Sequence, residues 1–290
     1  MPALIAQAQR FLPQHLLSRL AGRIARSRWP WLKDRLIRLA IRRFGIDLSE
    51  AEHSDPAAYP SFDAFFTRAL KTGARQPDPD PDAILAPADG RIVSVGPVHR
   101  GSLLQAKGQH YPLSELLADE ALALRFEGGQ QLTIYLSPRD YHRVHMPAAG
   151  ELRSALHLPG RLFSVNRAST DSIPRLFVRN ERLIALFEGA FGPFAIVLVA
   201  ALLVGGIETV FAGRIIPPHP RRILDLTPAE PLRLPRFAEL GRFHYGSTVI
   251  LLLPPGTELL PAATVDADIR VGMAVARPSS LAPLRGESSA

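Results

Sequence analysis

Apolar residues recur with helical spacing from about Leu12 to Phe44, in two runs parted by Trp29-Pro30-Trp31. In the first run Leu16, Leu17, Leu20 and Ile24 fall on one side, with Arg19, Arg23 and Arg26 around the rest. In the second, Leu32, Leu36 and Leu39 together with Ile37, Ile41 and Phe44 make a wide apolar face bordered by arginines. Two amphipathic helices are expected, and the pattern admits two uses for them. One is a membrane interface, with Arg on the wet side and Trp at the helix end. The other is packing on the protein's own core with solvated arginines. A third helix is expected over Phe62 to Lys71, where Ser61 can cap and Phe62, Phe65, Phe66 and Leu70 share a side.

The alternation Gln76-Pro77-Asp78-Pro79-Asp80-Pro81-Asp82 can continue neither a helix nor a central strand, so it reads as an extended linker. Beyond it the period changes. Short β-type runs at Arg91–Val95, Gln131–Leu136, Leu183–Phe187, Phe194–Val204 and Thr248–Leu253 are separated by Gly and Pro clusters. The expected fold class is α+β: N-terminal amphipathic helices (residues 1–75) and a mainly antiparallel β catalytic domain (76–290), barrel- or sandwich-like. The apolar run Ala190 to Ile207 approaches the length of a membrane span. It carries Gly192, Pro193, Gly205 and Gly206 and no nearby basic flank, so a pair of buried strands is expected there instead. The tail after Pro278, rich in Ser, Pro and Gly, is expected to be mobile.

Composition narrows the chemistry. Among 290 residues there is no cysteine, which excludes disulfides, thiolate metal ligands and thiol nucleophiles. Lys and Arg exceed Asp and Glu by 34 − 27 = 7. The excess is concentrated before Ile46, where ten basic residues, Arg10 to Arg43, face the single acid Asp34. Such a block suits an anionic surface, phospholipid or nucleic acid. The N-terminus has no basic lead followed by a clean apolar run, so no cleavable signal peptide is expected.

Three segments carry reactive side chains at expected strand edges: Ala86-Pro87-Ala88-Asp89-Gly90, Ser137 to Pro147 with His142 and His145, and His244-Tyr245-Gly246-Ser247-Thr248. Together they offer a carboxylate, two imidazoles and a hydroxyl, and loops on a rigid sheet commonly present such groups. A serine hydroxyl needs a positioned base to become nucleophilic, and that base needs a partner that fixes its tautomer. With nine His in the chain the set alone is weak evidence. Ser247 and Asp89 would equally suit ordinary turns. The close pair His142 and His145 would equally suit zinc, although no third ligand has a persuasive spacing.

The set resembles the phosphatidylserine decarboxylase family. The matching pieces, in family order along most of the chain, are Phe65-Phe66-Thr67-Arg68, the Pro-Ala-Asp-Gly stretch at Asp89 and Tyr-His-Arg-Val-His at His142 and His145. Val204-Gly205-Gly206-Ile207-Glu208-Thr209 and Gly246-Ser247-Thr248 complete it. One departure is Tyr245, where the family usually has Leu; it lies outside the bond to be broken. The resemblance implies that His145, oriented by Asp89, takes the Ser247 proton and that Oγ attacks the Gly246 carbonyl. Cleavage between 246 and 247 then gives a beta chain (1–246) and an alpha chain (247–290) headed by a pyruvoyl group derived from Ser247. It further implies that this group forms an imine with phosphatidylserine and yields phosphatidylethanolamine and CO2, with His142 as candidate proton donor and neither metal nor pyridoxal phosphate required.

The implied enzyme is a carboxy-lyase and a peripheral protein on an anionic membrane surface, the cytoplasmic face of a bacterial inner membrane. Its partners would be the lipid, its own two chains and a possible second copy, with no nucleic acid. Two other functions fit parts of the sequence. A serine hydrolase using Asp89, His145 and Ser247 without self-cleavage lacks the Gly-x-Ser-x-Gly elbow. A basic binding module on a β scaffold would leave the motif set idle.

Overall fold

The computed structural model describes residues 8–106, 108–202, 206–216, 219–244 and 247–279. The two N-terminal helices form where the period put them: α1 is Gln14–Ala25 and α2 is Pro30–Phe44. Pro30 opens α2 at a position whose N–H needs no intrahelical partner, and Gly45 closes it in the left-handed region at φ 64°. Periodicity could not say which side of α1 turns inward. It buries the small and polar stripe Gln14, Ser18, Gly22 and Ala25 and leaves Leu16, Leu20 and Ile24 about half exposed.

Hydrogen bonds fasten that end of the chain. Leu162 N donates to Gln14 Oε1 (2.9 Å), Ser164 N to Gln9 Oε1 (2.8 Å) and Gln9 Nε2 to Ser169 Oγ (3.1 Å). In α2, Ile37 and Ala40 pack against Ile46, Tyr59 and Phe65, while Trp31, Leu39, Phe44 and the preceding Trp29 are exposed. The expected third helix is shorter than its apolar spacing suggested: α3 is Phe62–Phe66, capped by Ser61 Oγ. It stops because the following residues pair elsewhere. Ala51 and Leu70 form an antiparallel bridge, with Lys71 N donating to Glu50 O (2.9 Å).

The Pro-Asp strap is laced down by its own side chains. Asp78 and Asp80 carboxylates accept from the N–H two residues on, at 3.0 Å each. Asp78 N donates to Gly272 O (2.8 Å), and the strap runs so close that a Cβ on Gly272 would lie 2.4 Å from Gln76 O.

The strands that position the site are β1 (Gly90–Pro97), β2 (Gln130–Leu136), β3 (Arg143–His145), β4 (Gly150–Leu158) and β5 (Arg182–Gly189). They continue with β6 (Gly192–Val199), β7 (Ile207–Thr209), β8 (Gly213–Arg214), β9 (Glu239–Phe243) and β10 (Ser247–Leu253). The large antiparallel sheet runs Leu224–Asp225, β4, β5, β6, β10, β2, β1, Asp268–Ile269, with Leu232–Leu234 also on β4. It has two free ends, so the architecture is an open sandwich-like α+β fold and not a closed barrel. A second sheet, β8-β7-β9-β3, shares one core with its inner face: Val144, Ile207 and Phe243 pack in the same cluster as Leu136, Val249 and Leu251.

The other face of β10, Ile250 and Leu252, packs with Val197, Phe177 and Leu116. A strand covered on both faces has no polar side, which is why Val249 to Leu253 is uninterrupted apolar sequence. Each such side chain stabilises the fold by about 1.5–3 kcal/mol through burial. The run from Ala190 supplies β6 and, at its far end, the start of β7, as expected of buried strands; residues 203–205 lie outside the described set. Among the described residues no helix is long and apolar enough to cross a membrane. The expected mobile tail falls almost wholly outside the described residues.

Candidate active site

Ser247 opens β10, the strand between β6 and β2, opposite Leu136. Side chains alternate along a strand, so Ser247 shares a face with Val249 and Leu251, the face covered by the second sheet. Its Oγ is fully buried and has no hydrogen-bond partner among the described residues, and neither has Thr248 Oγ1 on the opposite face. A buried hydroxyl without a partner costs about 1–3 kcal/mol. Ser247 sits in a regular strand, whereas a hydrolase elbow places its serine on a sharp turn. Gly246 and Tyr245 lie outside the described residues.

His142 lies in the turn between β2 and β3, completely buried. The turn is held by Asp140, whose Oδ2 accepts from Ser137 N and Oγ at 2.7 Å each. His142 Nδ1 donates to the Asp140 carbonyl (2.8 Å), its ring packs 4.1 Å from Phe66, and its carbonyl takes Phe243 N of β9. A carbonyl only accepts, so the proton is on Nδ1 and the buried, unpartnered Nε2 carries a lone pair. Burial, aided by the Arg68 charge, pushes His142 down to about 3.

His145 ends β3. Its Nδ1 donates to Phe237 O (2.8 Å) and its Nε2 accepts from Tyr141 Oη at 3.1 Å. Burial leaves its pKa below the ordinary imidazole value, only partly offset by the Phe237 hydrogen bond and the charges of Glu239 and Asp89. Asp89 precedes Gly90, whose φ of 151° and 2.3 Å approach of a would-be Cβ to Tyr135 O demand glycine. The segments of Asp89 and His145 are neighbours, with His145 N donating to Pro87 O (2.8 Å).

The expected orienting hydrogen bond between Asp89 and His145 is nevertheless absent from the observed geometry. Arg75 Nε spans both Asp89 oxygens (3.1 and 3.2 Å), and Val271 N takes Oδ1 at 2.8 Å. A guanidinium offers a planar pair of donors that matches a carboxylate better than one imidazole can. The Phe237 carbonyl fixes the His145 tautomer instead, and Asp89 acts on it through space.

The structure adds residues to which no role had been assigned. Arg68, 4% exposed, donates Nη2 to Arg139 O (2.9 Å), lies over the Phe65 ring, and keeps Nε and Nη1 buried without partners. The sequence signal for it was present in the Phe-Phe-Thr-Arg run, an arginine closing an aromatic helix. His244, three residues before Ser247, meets Asp63 Oδ1 (2.9 Å) and Glu208 Oε2 (3.0 Å). Burial raises Asp63, but His244 and Arg214 outweigh it and hold the carboxyl at about 2. This network anchors the strand-entry side of Ser247 to α3 and β7. An apolar groove of about 450 Å³ opens between the helices, lined by Ile24, Leu36, Phe44, Phe62, Phe66 and others. Its Phe66 wall is the ring on which His142 packs.

A family model described as phosphatidylserine decarboxylase matches residues 62–277, and one described as PSD matches residues 4–45. The chain is 52% identical over 277 residues to the phosphatidylserine decarboxylase proenzyme of Xanthomonas campestris pv. campestris (strain B100), covering 95% of this chain and 98% of that protein. The proenzyme of the same name from Xanthomonas axonopodis pv. citri (strain 306) is 52% identical over 95% of this chain and 99% of its own. That of Xylella fastidiosa (strain 9a5c) is 51% identical over 93% of each. With this fold, this motif order and identity over nearly the whole length, the chain belongs to the phosphatidylserine decarboxylase family.

Proposed function

We propose that this chain is a carboxy-lyase that converts phosphatidylserine to phosphatidylethanolamine and CO2 after cutting itself between Gly246 and Ser247. The observation that carries the reading is the buried, unpartnered Ser247 hydroxyl on a central strand, in a chain whose relatives are named as proenzymes. His145 Nε2, the lone-pair nitrogen, takes the Ser247 proton once Tyr141 turns aside, and Asp89 stabilises the resulting imidazolium through space. Oγ attacks the Gly246 carbonyl carbon; as the C–O bond forms the C–N bond breaks, and the proton passes to the Ser247 nitrogen, leaving an ester. Loss of the Ser247 α-proton expels the Gly246 carboxylate, and hydrolysis of the remaining enamine releases ammonia. The products are fragments 1–246 and 247–290, the second headed by a pyruvoyl group.

The surroundings of Ser247 fit such a group. The pairing to Leu136 holds the position, and His142 Nε2, in the turn that follows the strand of Leu136, is a buried polar atom without a partner among the described residues. The pyruvoyl carbonyl, conjugated to its amide, supplies a sink for the electron pair left when CO2 departs. His142 cannot be a standing acid, because its Nδ1 proton is committed to Asp140 and its Nε2 is bare. It therefore acts as a carrier once the anionic headgroup offsets the Arg68 charge that helps hold it low: Nε2 takes up the proton the substrate amine sheds as it condenses and returns it to the former α-carbon.

Arg68 provides the buried cation for the headgroup, and its partner is the phosphate. Pairing it with the carboxylate would stabilise the ground state that must be lost. The exposed apolar faces of α1 and α2, fringed by exposed Arg19, Arg23, Arg26 and Arg38, support docking on an anionic bilayer. The enzyme then sits peripherally on the cytoplasmic leaflet, with the groove between the helices taking acyl chain.

Intact mass of the purified chain tests the reading. Processing predicts fragments of roughly 27 and 5 kDa by share of length, the smaller without a free amino terminus. Ser247→Ala should leave one uncut, inactive chain, and decarboxylation surviving that change would end the proposal.

A further inference from the structure

We propose, on the self-cleavage reading, that His244 is a positioning residue: braced between Asp63 and Glu208, it holds the chain that enters the Gly246–Ser247 bond. β9 ends at Phe243 in the second sheet, and β10 begins at Ser247 in the large sheet. The chain therefore crosses between sheets in the four links from Phe243 to Ser247, at most about 14 Å of backbone. The bond to be cut is the last of those links.

The far end of the crossing is fixed by pairing. Ser247 lies opposite Leu136, and Thr248 lies between Tyr135 and Val199, so β10 is held from both sides. Oγ attacks the Gly246 carbonyl efficiently only if that carbonyl is also held, which calls for an anchor at the near end.

His244 supplies the anchor. Its N donates to Gly206 O (2.8 Å), and a Cβ on Gly206 would lie 2.3 Å from the His244 Cβ, so the seat admits only glycine. Nδ1 meets Asp63 Oδ1 at 2.9 Å, and Nε2 meets Glu208 Oε2 at 3.0 Å. A carboxylate oxygen only accepts, so the ring grips both when each nitrogen carries a proton.

Two arginines complete the brace. Arg214 Nη2 is 2.7 and 3.0 Å from the two ring nitrogens, which places it over the face of the ring. It donates to Asp63 Oδ2 at 2.9 Å, and Arg242 Nε stands 3.7 Å from Glu208 Oε1. The His244 hydrogen bond holds Glu208 below the usual carboxylate range. Against the burial that raises it, Asp63 is held at about 2 by His244 and Arg214. Both acids are thus ionised at neutral pH.

His244 is gripped from α3, β7 and β8 while giving no atom to the reaction. Loosening the brace lets the Gly246 carbonyl drift from Oγ, and a displacement of about 1 Å costs about 100-fold in rate. Decarboxylation comes after the cut, when residue 244 and the pyruvoyl group are on different chains. The brace therefore bears on the first reaction far more than on the second.

The test follows full-length chain, pulse-labelled in cell-free translation and chased, with cut and uncut forms resolved by gel. Intact mass locates the cut, expected between 246 and 247 in the wild type. His244→Gln and Glu208→Ala should each slow cleavage by about 10- to 100-fold. Glu208→Gln, which keeps an oxygen for Nε2, should recover most of the rate. Glu208 is partly exposed, so its variants fold even where a change at His244 does not. Turnover of phosphatidylserine per pyruvoyl group should change far less than the cleavage rate. Wild type left whole, or cut elsewhere, sinks the self-cleavage itself and this role of His244 with it. Wild type cut at that bond overturns the role alone if Glu208→Ala is cut as fast, if Glu208→Gln is as slow as Glu208→Ala, or if turnover falls as far as cleavage.

Discussion

Replacing His142 by Asn separates the two chemistries assigned to the active site. Asn keeps a side-chain N–H for the Asp140 carbonyl, which His142 Nδ1 meets at 2.8 Å, and gives up the second nitrogen. The folding cost is the ring contact with Phe66, about 1 kcal/mol, plus a small void of about 1–2 kcal/mol. Domain stabilities of about 5–15 kcal/mol absorb that. The chemical cost is the proton carrier, about 10²–10⁴ in rate, which is about 2.7–5.5 kcal/mol of barrier.

Acid stability supplies an independent readout. The His142 pKa in the fold, about 3, is below the unfolded value of 6.5. Its contribution to stability is therefore complete above pH 6.5 and shrinks as the pH falls toward 3. Between pH 7 and pH 5 the loss is about 2 kcal/mol, and the variant should lack that part of the acid sensitivity. Cleavage is read by intact mass, turnover by CO2 release from carboxyl-labelled phosphatidylserine in micelles, and stability by urea midpoints at the two pH values. Two fragments, turnover down at least about 100-fold and a flatter pH dependence are expected. An uncleaved chain, or turnover within a few-fold of wild type, refutes the carrier role.

Arg68→Gln should leave cleavage intact and lower kcat/KM for phosphatidylserine by about 10- to 150-fold, the worth of one charge-assisted hydrogen bond; steady-state kinetics on the matured variant would expose an unchanged ratio. Converting Arg19, Arg23, Arg26 and Arg38 to Glu removes attraction of about 1 kcal/mol per site. Pelleting with anionic vesicles should fall sharply, and undiminished pelleting counts against the docking surface.

Sequence by itself determined the elements. The helical spacing of Leu16, Leu20 and Ile24, the Pro30 start and the unbroken run Val249–Leu253 are local facts, and α1, α2 and β10 form where those facts put them. It also located Asp89, His142, His145 and Ser247 at strand margins. Tertiary structure decided which groups they meet. A period of 3.6 residues separates a polar from an apolar face but does not say which one has a protein beside it, so the outward apolar face of α1 was unreadable. Phe62–Lys71 lost its last turn to a bridge between Ala51 and Leu70. Asp89 is claimed by Arg75 and by Val271, 182 positions away, and not by His145. The bare nitrogen of His142 was equally hidden, because a tautomer is set by whichever acceptor the fold places against the ring. Local propensity is written residue by residue; hydrogen-bond partners are chosen only when distant segments are packed together.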